Sequence, residues 1–195
     1  MSPRALLISG APATGKSTLA AALAPRLGAA LLDLDVATGP LTAVVSELLG
    51  ATDLSDPELA ARTRAPRYET LFALARDNLR AGLPVVLVAP FTAERTAPGW
   101  RAAADRLAPY TDGPTLVWLH LPPGELVDRL TRRRATRDRD KMRSPTAFLA
   151  TVHRDPPAAP HLALDATLPV ADLVERVLAH VTSNGLPSMA ERDRV

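Results

Sequence analysis

The segment GAPATGKS at residues 10–17 decides the fold class of this chain. It matches the pattern Gly-x-x-x-x-Gly-Lys-Ser/Thr at every fixed position, and this pattern forms the P-loop that holds nucleotide phosphates. The two glycines let the backbone pass close to the phosphates. The main-chain N–H groups then point inward at the positive end of the following helix. The segment therefore predicts a nucleotide-binding site between a strand and a helix.

Each position of the loop has a predicted role. Lys16 supplies a positive charge to the β- and γ-phosphates, and we count it as catalytic as well as nucleotide-binding. The Ser17 hydroxyl is a predicted Mg²⁺ ligand, and Thr18 is expected to contact the α-phosphate. The remaining residues predicted to bind the phosphates are Gly10, Ala13, Thr14 and Gly15. The predicted cofactors are ATP and Mg²⁺.

Short apolar runs alternate with helical patterns around this loop. The predicted strands cover residues 4–9, 29–33, 84–89, 115–121 and 162–165, and the predicted helices cover 16–27, 41–49, 57–81, 94–107, 124–134 and 171–181. This alternation predicts an α/β, doubly wound, parallel sheet of five strands. We expect one P-loop domain over residues 1–182, followed by a flexible tail over 183–195.

The composition of the chain indicates which kinds of partner it is expected to bind. The chain has 195 residues, a net charge of +2 from 23 basic and 21 acidic residues, and no cysteine. This balance argues against nucleic acid as a partner at the level of the whole chain. We find no apolar run of the roughly 20 residues that span a bilayer. We therefore expect a cytoplasmic protein that does not enter a membrane, and the sequence leaves its oligomeric state open.

Two carboxylates follow the second predicted strand. Asp33 and Asp35 are two residues apart, so extended geometry would place them on one face, at the edge where a doubly wound sheet binds its ligand. One could accept the proton of an acceptor hydroxyl while the other helps to hold Mg²⁺ through water. We favour Asp35 as the catalytic base and Asp33 as the metal-binding residue. The alternative is that one of them is a turn residue or a helix cap.

The third predicted strand lacks an expected acid. It ends in VAPFT at residues 88–92, where a Walker-B-type strand would carry an Asp for the Mg²⁺ shell. This departure assigns more of the metal binding to Ser17 and to the carboxylates after the second strand, with Thr92 as a weak substitute.

A basic segment at residues 132–143 predicts a short arginine-rich lid, which we place at about 132–145. Arg129, Arg133 and Arg137 are spaced by four residues and would share one face of a continuing helix. Such a face can hold polyphosphate and neutralise the charge that develops during transfer. We therefore expect Arg133 and Arg137 to be catalytic, with Arg133 also binding the nucleotide. The alternatives are a solvated basic face or an RNA-binding patch.

With these residues the chain resembles the small P-loop phosphotransferases with a nucleoside-monophosphate-kinase-like fold. That group includes gluconate and shikimate kinases, chloramphenicol phosphotransferase, the kinase half of polynucleotide kinase and the zeta-toxin-like kinases. The resemblance covers about residues 4–182 and rests on the P-loop, on Asp35, and on Arg133 followed by Arg137, Asp138 and Lys141. It implies the sheet order 2-3-1-4-5 and places Thr167, after the fifth strand, near the adenine.

The sequence thus predicts a kinase that moves the γ-phosphoryl group of ATP to a hydroxyl of a small molecule, such as a sugar, a nucleoside or an antibiotic-like compound. Two alternatives stay open. One is a regulatory ATP-binding protein that transfers nothing, and the other is a polynucleotide 5′-kinase. The motifs name neither the acceptor nor a preference for ATP over GTP.

Overall fold

Five parallel strands form the centre of the fold, in the order β2-β3-β1-β4-β5. The computed structural model describes residues 2–51, 56–133, 148–150 and 152–183. The strands are Ala5–Gly10 (β1), Ala30–Asp33 (β2), Val85–Val88 (β3), Thr115–His120 (β4) and Leu162–Asp165 (β5). The predicted fold class and strand order are therefore confirmed. The predicted arginine-rich lid lies largely outside the described residues.

Helices connect successive strands and cover both faces of the sheet. Those longer than ten residues in the described chain are α1 (Lys16–Leu27), α2 (Leu34–Leu49), α3 (Pro57–Arg80), α4 (Ala97–Leu107), α5 (Pro123–Arg133) and α6 (Val170–Ser183). Parallel strands need such crossovers, because each chain segment must return to the same end of the sheet before the next strand begins. The division of the chain into a domain over 1–182 and a tail stays a prediction, because residues 184–195 lie outside the described part.

The core has two layers, one on each face of the sheet. Along β1, Leu6 and Ile8 belong to a buried cluster with side chains of α1 and α6. Leu7, between them, belongs to a second cluster with side chains of α3 and α4. All six residues of β1 are buried, which explains why the strand reads as an unbroken apolar run. The P-loop therefore follows directly from a strand that is buried along its whole length.

Two predicted helix boundaries are wrong. α2 begins at Leu34 rather than at residue 41, and it continues through Pro40. The Thr38 hydroxyl donates to the Leu34 carbonyl at 2.6 Å, a local bond that the apolar pattern does not reveal. α4 begins at Ala97 rather than at Glu94, because the Thr96 side chain caps the helix by accepting the N–H of Gly99. Both helices come after a strand, and in each case the side chain of the capping residue, Asp33 or Thr96, determines where the helix begins.

Candidate active site

The P-loop adopts the backbone conformation that its glycines predict. Gly10 and Gly15 have positive φ angles of 150° and 92°, and Ala13 has a φ of 65°, which is uncommon for a residue with a side chain. A β-carbon at Gly10 would lie 2.6 Å from the carbonyl oxygen of Leu119 and 2.8 Å from the Thr14 hydroxyl. Only glycine therefore fits where the loop leaves β1 and passes over β4.

Side chains of the loop bind the loop itself. The buried Thr14 hydroxyl donates to the carbonyl of Ala11 at 2.9 Å, so this side chain shapes the loop. The Lys16 ammonium donates to the carbonyls of Gly10 and Ala11 at 2.9 and 2.8 Å. These bonds hold the positive charge of Lys16 over the mouth of the loop, where the predicted phosphates would lie.

One cavity of about 460 Å³, which we call the main cavity, joins the P-loop to the ends of β2 and β3. Its volume is within the range that holds small ligands. Its lining residues are Pro12, Ala13, Gly15, Lys16, Ser17, Thr18, Asp33, Leu34, Asp35, Val88, Ala89, Pro90 and Arg129. The structure therefore brings together most residues of the predicted phosphate site and both carboxylates that follow β2.

Asp33 is both a helix cap and a partner of the P-loop. Its Oδ1 accepts the main-chain N–H of Asp35 at 2.9 Å, which caps α2, and its Oδ2 accepts the Ser17 hydroxyl at 2.8 Å. The expectation that period-two geometry aligns Asp33 and Asp35 is wrong, since β2 ends at Asp33 and Asp35 lies in the first turn of α2. The helix cap that the sequence left open as an alternative is Asp33.

The side-chain oxygens of Ser17 and Asp33 are suitable ligands for Mg²⁺. This ion prefers oxygen ligands and usually keeps several waters, so one or two protein oxygens and the phosphates of a nucleotide suffice to hold it. The contact between Ser17 and Asp33 supplies two such oxygens beside the P-loop. Within the described ranges, no three carboxylate or histidine side chains gather at a metal site. The arrangement therefore fits an ion that arrives with its nucleotide rather than one held by the protein alone.

Asp35 is oriented by an arginine that the sequence analysis did not single out. The Arg67 Nη2 lies 2.6 Å from Oδ1 of Asp35, and the Arg67 Nε donates to the Thr38 hydroxyl at 2.8 Å. Arg67 therefore bridges α3 to the first turns of α2 and fixes the position of the Asp35 carboxylate. Because the two charged residues are 32 positions apart, no local spacing in the sequence indicates this pair.

Arg129 joins the P-loop to the loop that follows β5. Its Nη2 donates to the Ala166 carbonyl at 2.7 Å, and its Nη1 lies 4.0 Å from where a β-carbon on Gly15 would be. The sequence placed Arg129 on the basic face but not among the site residues. The structure places it in the lining of the main cavity. A guanidinium at this position can pair with phosphate oxygens.

Thr167 lies in the turn after β5, next to the carbonyl that Arg129 binds. Its N–H and hydroxyl both donate to Oδ1 of Asp165, at 2.9 and 2.8 Å, and these bonds lower the pKa of the Asp165 carboxyl. The predicted contact of Thr167 with adenine stays a prediction. The roles of Arg133 and Arg137 also stay predictions, because the Arg133 side chain and all of Arg137 lie outside the described part of the chain.

The segment after β3 is fixed by α3. The Phe91 N–H donates to the Tyr68 hydroxyl at 3.1 Å, and Phe91 has a φ of 46°. Burial and the nearby charge of Glu94 raise the pKa of Tyr68 to about 12, so its hydroxyl stays protonated at neutral pH. Thr92 accepts a hydrogen bond from Arg64 and does not line the cavity of Ser17 and Asp33. The structure thus places Thr92 away from the candidate Mg²⁺ site.

Comparisons with known proteins place the chain in a family. A family model described as an AAA domain (AAA_33) matches residues 6–155. The chain belongs to this family. No curated protein matches the sequence. Family membership and the solved structures below confirm the predicted P-loop kinase as fold and enzyme class.

Three solved structures illustrate the similarity. A candidate kinase from Chloroflexus aurantiacus is 25% identical, with 93% of this chain and 97% of that chain covered and a TM-score of 0.63. A gluconokinase from Sinorhizobium meliloti is 20% identical, with 93% of each chain covered and a TM-score of 0.60. The APS kinase of Mycobacterium tuberculosis, in complex with AMPPNP and APS, is 18% identical, with 93% and 98% covered and a TM-score of 0.63. The last two show the shared fold.

None of the described helices is both long and apolar enough to cross a bilayer.

Proposed function

We propose that this P-loop kinase transfers the γ-phosphoryl group of ATP to a hydroxyl of a small molecule, with Asp35 as the general base. The observation that carries this proposal is the single cavity that contains Lys16, Ser17 and Asp35. A nucleotide on the P-loop would present its γ-phosphate to this cavity, and a hydroxyl beside Asp35 would face the same space. We further propose that this reaction takes place in the cytoplasm.

Different residues of the cavity act on the acceptor hydroxyl and on the transferred phosphoryl group. Asp35 accepts the proton of the acceptor hydroxyl as the oxygen forms its bond to the γ-phosphorus, and the bond to the β–γ bridging oxygen breaks to release ADP. Lys16 and Arg129 stabilise the negative charge that develops on the transferred group. Ser17 and Asp33 would hold Mg²⁺, which would supply further charge neutralisation. Arg133 and Arg137 would add further positive charge.

The ion pair between Arg67 and Asp35 favours phosphotransfer over a purely regulatory role. A switch needs a nucleotide site whose state a partner can sense, but it does not need a carboxylate held by an arginine beside that site. The second alternative, a polynucleotide 5′-kinase, has no support from the charge of the chain, which is +2 in total.

The test is ADP formation with Mg²⁺–ATP in the absence and presence of single acceptors. The panel contains sugars, hydroxy acids, nucleosides, hydroxyl-bearing antibiotics and an oligonucleotide with a free 5′-hydroxyl. We expect slow hydrolysis alone and a large stimulation by one class of small molecule, with the phosphorylated product identified by mass spectrometry. Stimulation by the oligonucleotide alone would favour the polynucleotide kinase, and no stimulation by any acceptor would favour the regulatory protein.

A further inference from the structure

The peptide group between Pro90 and Phe91 is held by side chains on both of its polar sides. Its carbonyl oxygen accepts the Ser9 hydroxyl at 2.9 Å, and its N–H donates to the Tyr68 hydroxyl at 3.1 Å. This peptide is trans, so its C=O and its N–H point to opposite sides. One hydroxyl from β1 and one from α3 therefore hold it from opposite directions.

Ser9 is a polar side chain inside an apolar strand. It is fully buried, it follows four apolar residues of β1, and it directly precedes Gly10 of the P-loop. A buried hydroxyl is costly unless it forms a hydrogen bond, and the carbonyl of Pro90 accepts the bond that Ser9 donates. This bond ties the start of the P-loop to the segment after β3.

Tyr68 holds the same peptide from α3. Its neighbour along the helix, Arg67, holds the carboxylate of Asp35 at 2.6 Å. The Tyr68 ring also packs edge-on against the ring of Phe91, with 6.0 Å between the ring centres. Two successive residues of α3 therefore fix the position of the proposed base and the position of the peptide after β3.

The backbone of Phe91 needs these contacts. Its φ of 46° is unfavourable for a residue with a side chain. Removal of either hydroxyl would leave one polar group of the peptide unpaired beside the core. Rotation of the peptide could then restore a partner and also release the unfavourable φ of Phe91. The observed orientation of the peptide therefore depends on both Ser9 and Tyr68.

Pro90 connects this peptide to the candidate active site. It lines the main cavity together with Lys16 and Asp35. Neither Ser9 nor Tyr68 is among the described residues that line this cavity. Their effect on the cavity must therefore pass through Pro90, which moves when the peptide that follows it rotates.

We propose that Ser9 and Tyr68 are positioning residues, which together hold the Pro90–Phe91 peptide so that Pro90 keeps the main cavity in the shape that phosphoryl transfer requires. The inference rests on the proposed function, since the transfer would take place in this cavity. Ser9 and Tyr68 act as a unit because they bind the two ends of one rigid group.

The experiment compares Tyr68→Phe, Ser9→Ala and the variant that carries both substitutions. Two matched controls remove hydroxyls that lie away from the main cavity. Tyr110→Phe removes a hydroxyl that accepts a hydrogen bond from an arginine at 3.1 Å, and Ser46→Ala removes one that donates to a main-chain carbonyl at 3.3 Å. The melting temperature of every variant is measured first, so that kinetic effects are compared only among folded proteins.

The first readout is the exchange rate of the Phe91 amide proton, measured by NMR. We expect Tyr68→Phe to speed this exchange on the order of 10-fold, as expected for the loss of one hydrogen bond. Ser9→Ala should speed it too, although Ser9 does not contact the amide, because the whole peptide becomes free to rotate. An unchanged rate in Ser9→Ala would overturn the proposal. If the variants fail to fold, an unprotected Phe91 amide in the wild-type protein would overturn it.

The second readout is phosphoryl transfer to the compound that most stimulates ADP formation in the acceptor panel. We expect each single variant to lower kcat by about 10- to 100-fold, as for a reacting group displaced by about 1 Å, with unchanged binding of a non-hydrolysable ATP analogue. The double variant should be no slower than the slower single variant, because both substitutions release one peptide. Effects that multiply, or a kcat equal to that of the controls, would contradict the shared positioning role.

The two readouts separate this proposal from the proposed function. Exchange of the Phe91 amide that depends on both hydroxyls, in a protein that phosphorylates no acceptor, would support the held peptide and contradict phosphotransfer. Transfer at the wild-type rate in Tyr68→Phe and Ser9→Ala would support phosphotransfer and contradict the positioning role.

Discussion

Removing the Arg67 side chain should damage catalysis much more than stability. Arg67→Ala breaks the 2.6 Å contact with Asp35 and the 2.8 Å bond to Thr38. The Asp35 side chain is 58% exposed and the Arg67 side chain 22%. Water therefore screens the pair, and we expect its loss to cost about 0.5–1 kcal/mol of unfolding free energy. The lost hydrogen bond to Thr38 adds about 1 kcal/mol.

The effect on transfer should be larger because Arg67 positions the proposed base. A displacement of a reacting group by about 1 Å can cost on the order of 100-fold in rate, so we expect kcat to fall by about 10- to 100-fold with ATP affinity retained. The matched control is Arg62→Ala on the same helix, which removes an exposed pair with Glu58 at 2.8 Å. The assays are ADP formation and urea unfolding. Equal kcat for the two variants would refute the positioning role of Arg67.

Three further predictions follow from single contacts. Lys16→Ala should abolish transfer and weaken ATP binding with an unchanged melting temperature, and unchanged ATP affinity and turnover would contradict the P-loop assignment. Gly10→Ala should lower the unfolding free energy by about 1–3 kcal/mol more than Gly113→Ala. Both glycines have positive φ angles, but only a β-carbon at Gly10 would meet a carbonyl oxygen, that of Leu119, at 2.6 Å. Equal urea midpoints for the two variants would contradict this prediction. Burial raises the pKa of the Glu94 carboxyl, so the folded state favours its neutral form, and stability from this group is present at low pH and is lost as pH rises through the raised pKa. Glu94→Gln should therefore gain melting temperature relative to wild type as pH increases from 4 to 8, and a constant difference would contradict it.

Local patterns in the sequence predict the fold because its main elements depend on local chemistry. The P-loop is specified by a few glycines and a lysine at fixed spacing. β1 and β3 are buried along their whole length, so they read as unbroken apolar runs. The predicted start of α2 is seven residues too late, because the Asp33 side chain caps a helix that begins at Leu34 and continues through Pro40.

The part of the candidate site that depends on local motifs was predicted, and the part that depends on distant contacts was not. The motifs contain or directly precede Lys16, Ser17, Asp33 and Asp35, and these four residues line the same cavity. Arg67 and Tyr68 could not be assigned, because their partners are 32 and 23 residues away and are brought near only by the packing of helices on the sheet. The sequence placed Arg95 inside a helix, whereas it is buried in the turn before α4. Tertiary contacts, rather than spacing, therefore define the proposed acceptor side.

The most direct test of the proposed reaction is phosphoryl transfer by Asp35→Asn in a single turnover. The substitution keeps the size of the side chain and removes its ability to accept a proton at neutral pH. We expect ATP to bind as in the wild-type protein and transfer to the acceptor to fall by about 10²–10⁴-fold, as typical for loss of a general base. Asp33→Asn, measured in parallel, should affect the Mg²⁺ dependence more than the rate at saturating Mg²⁺. Wild-type transfer by Asp35→Asn would contradict the proposed mechanism.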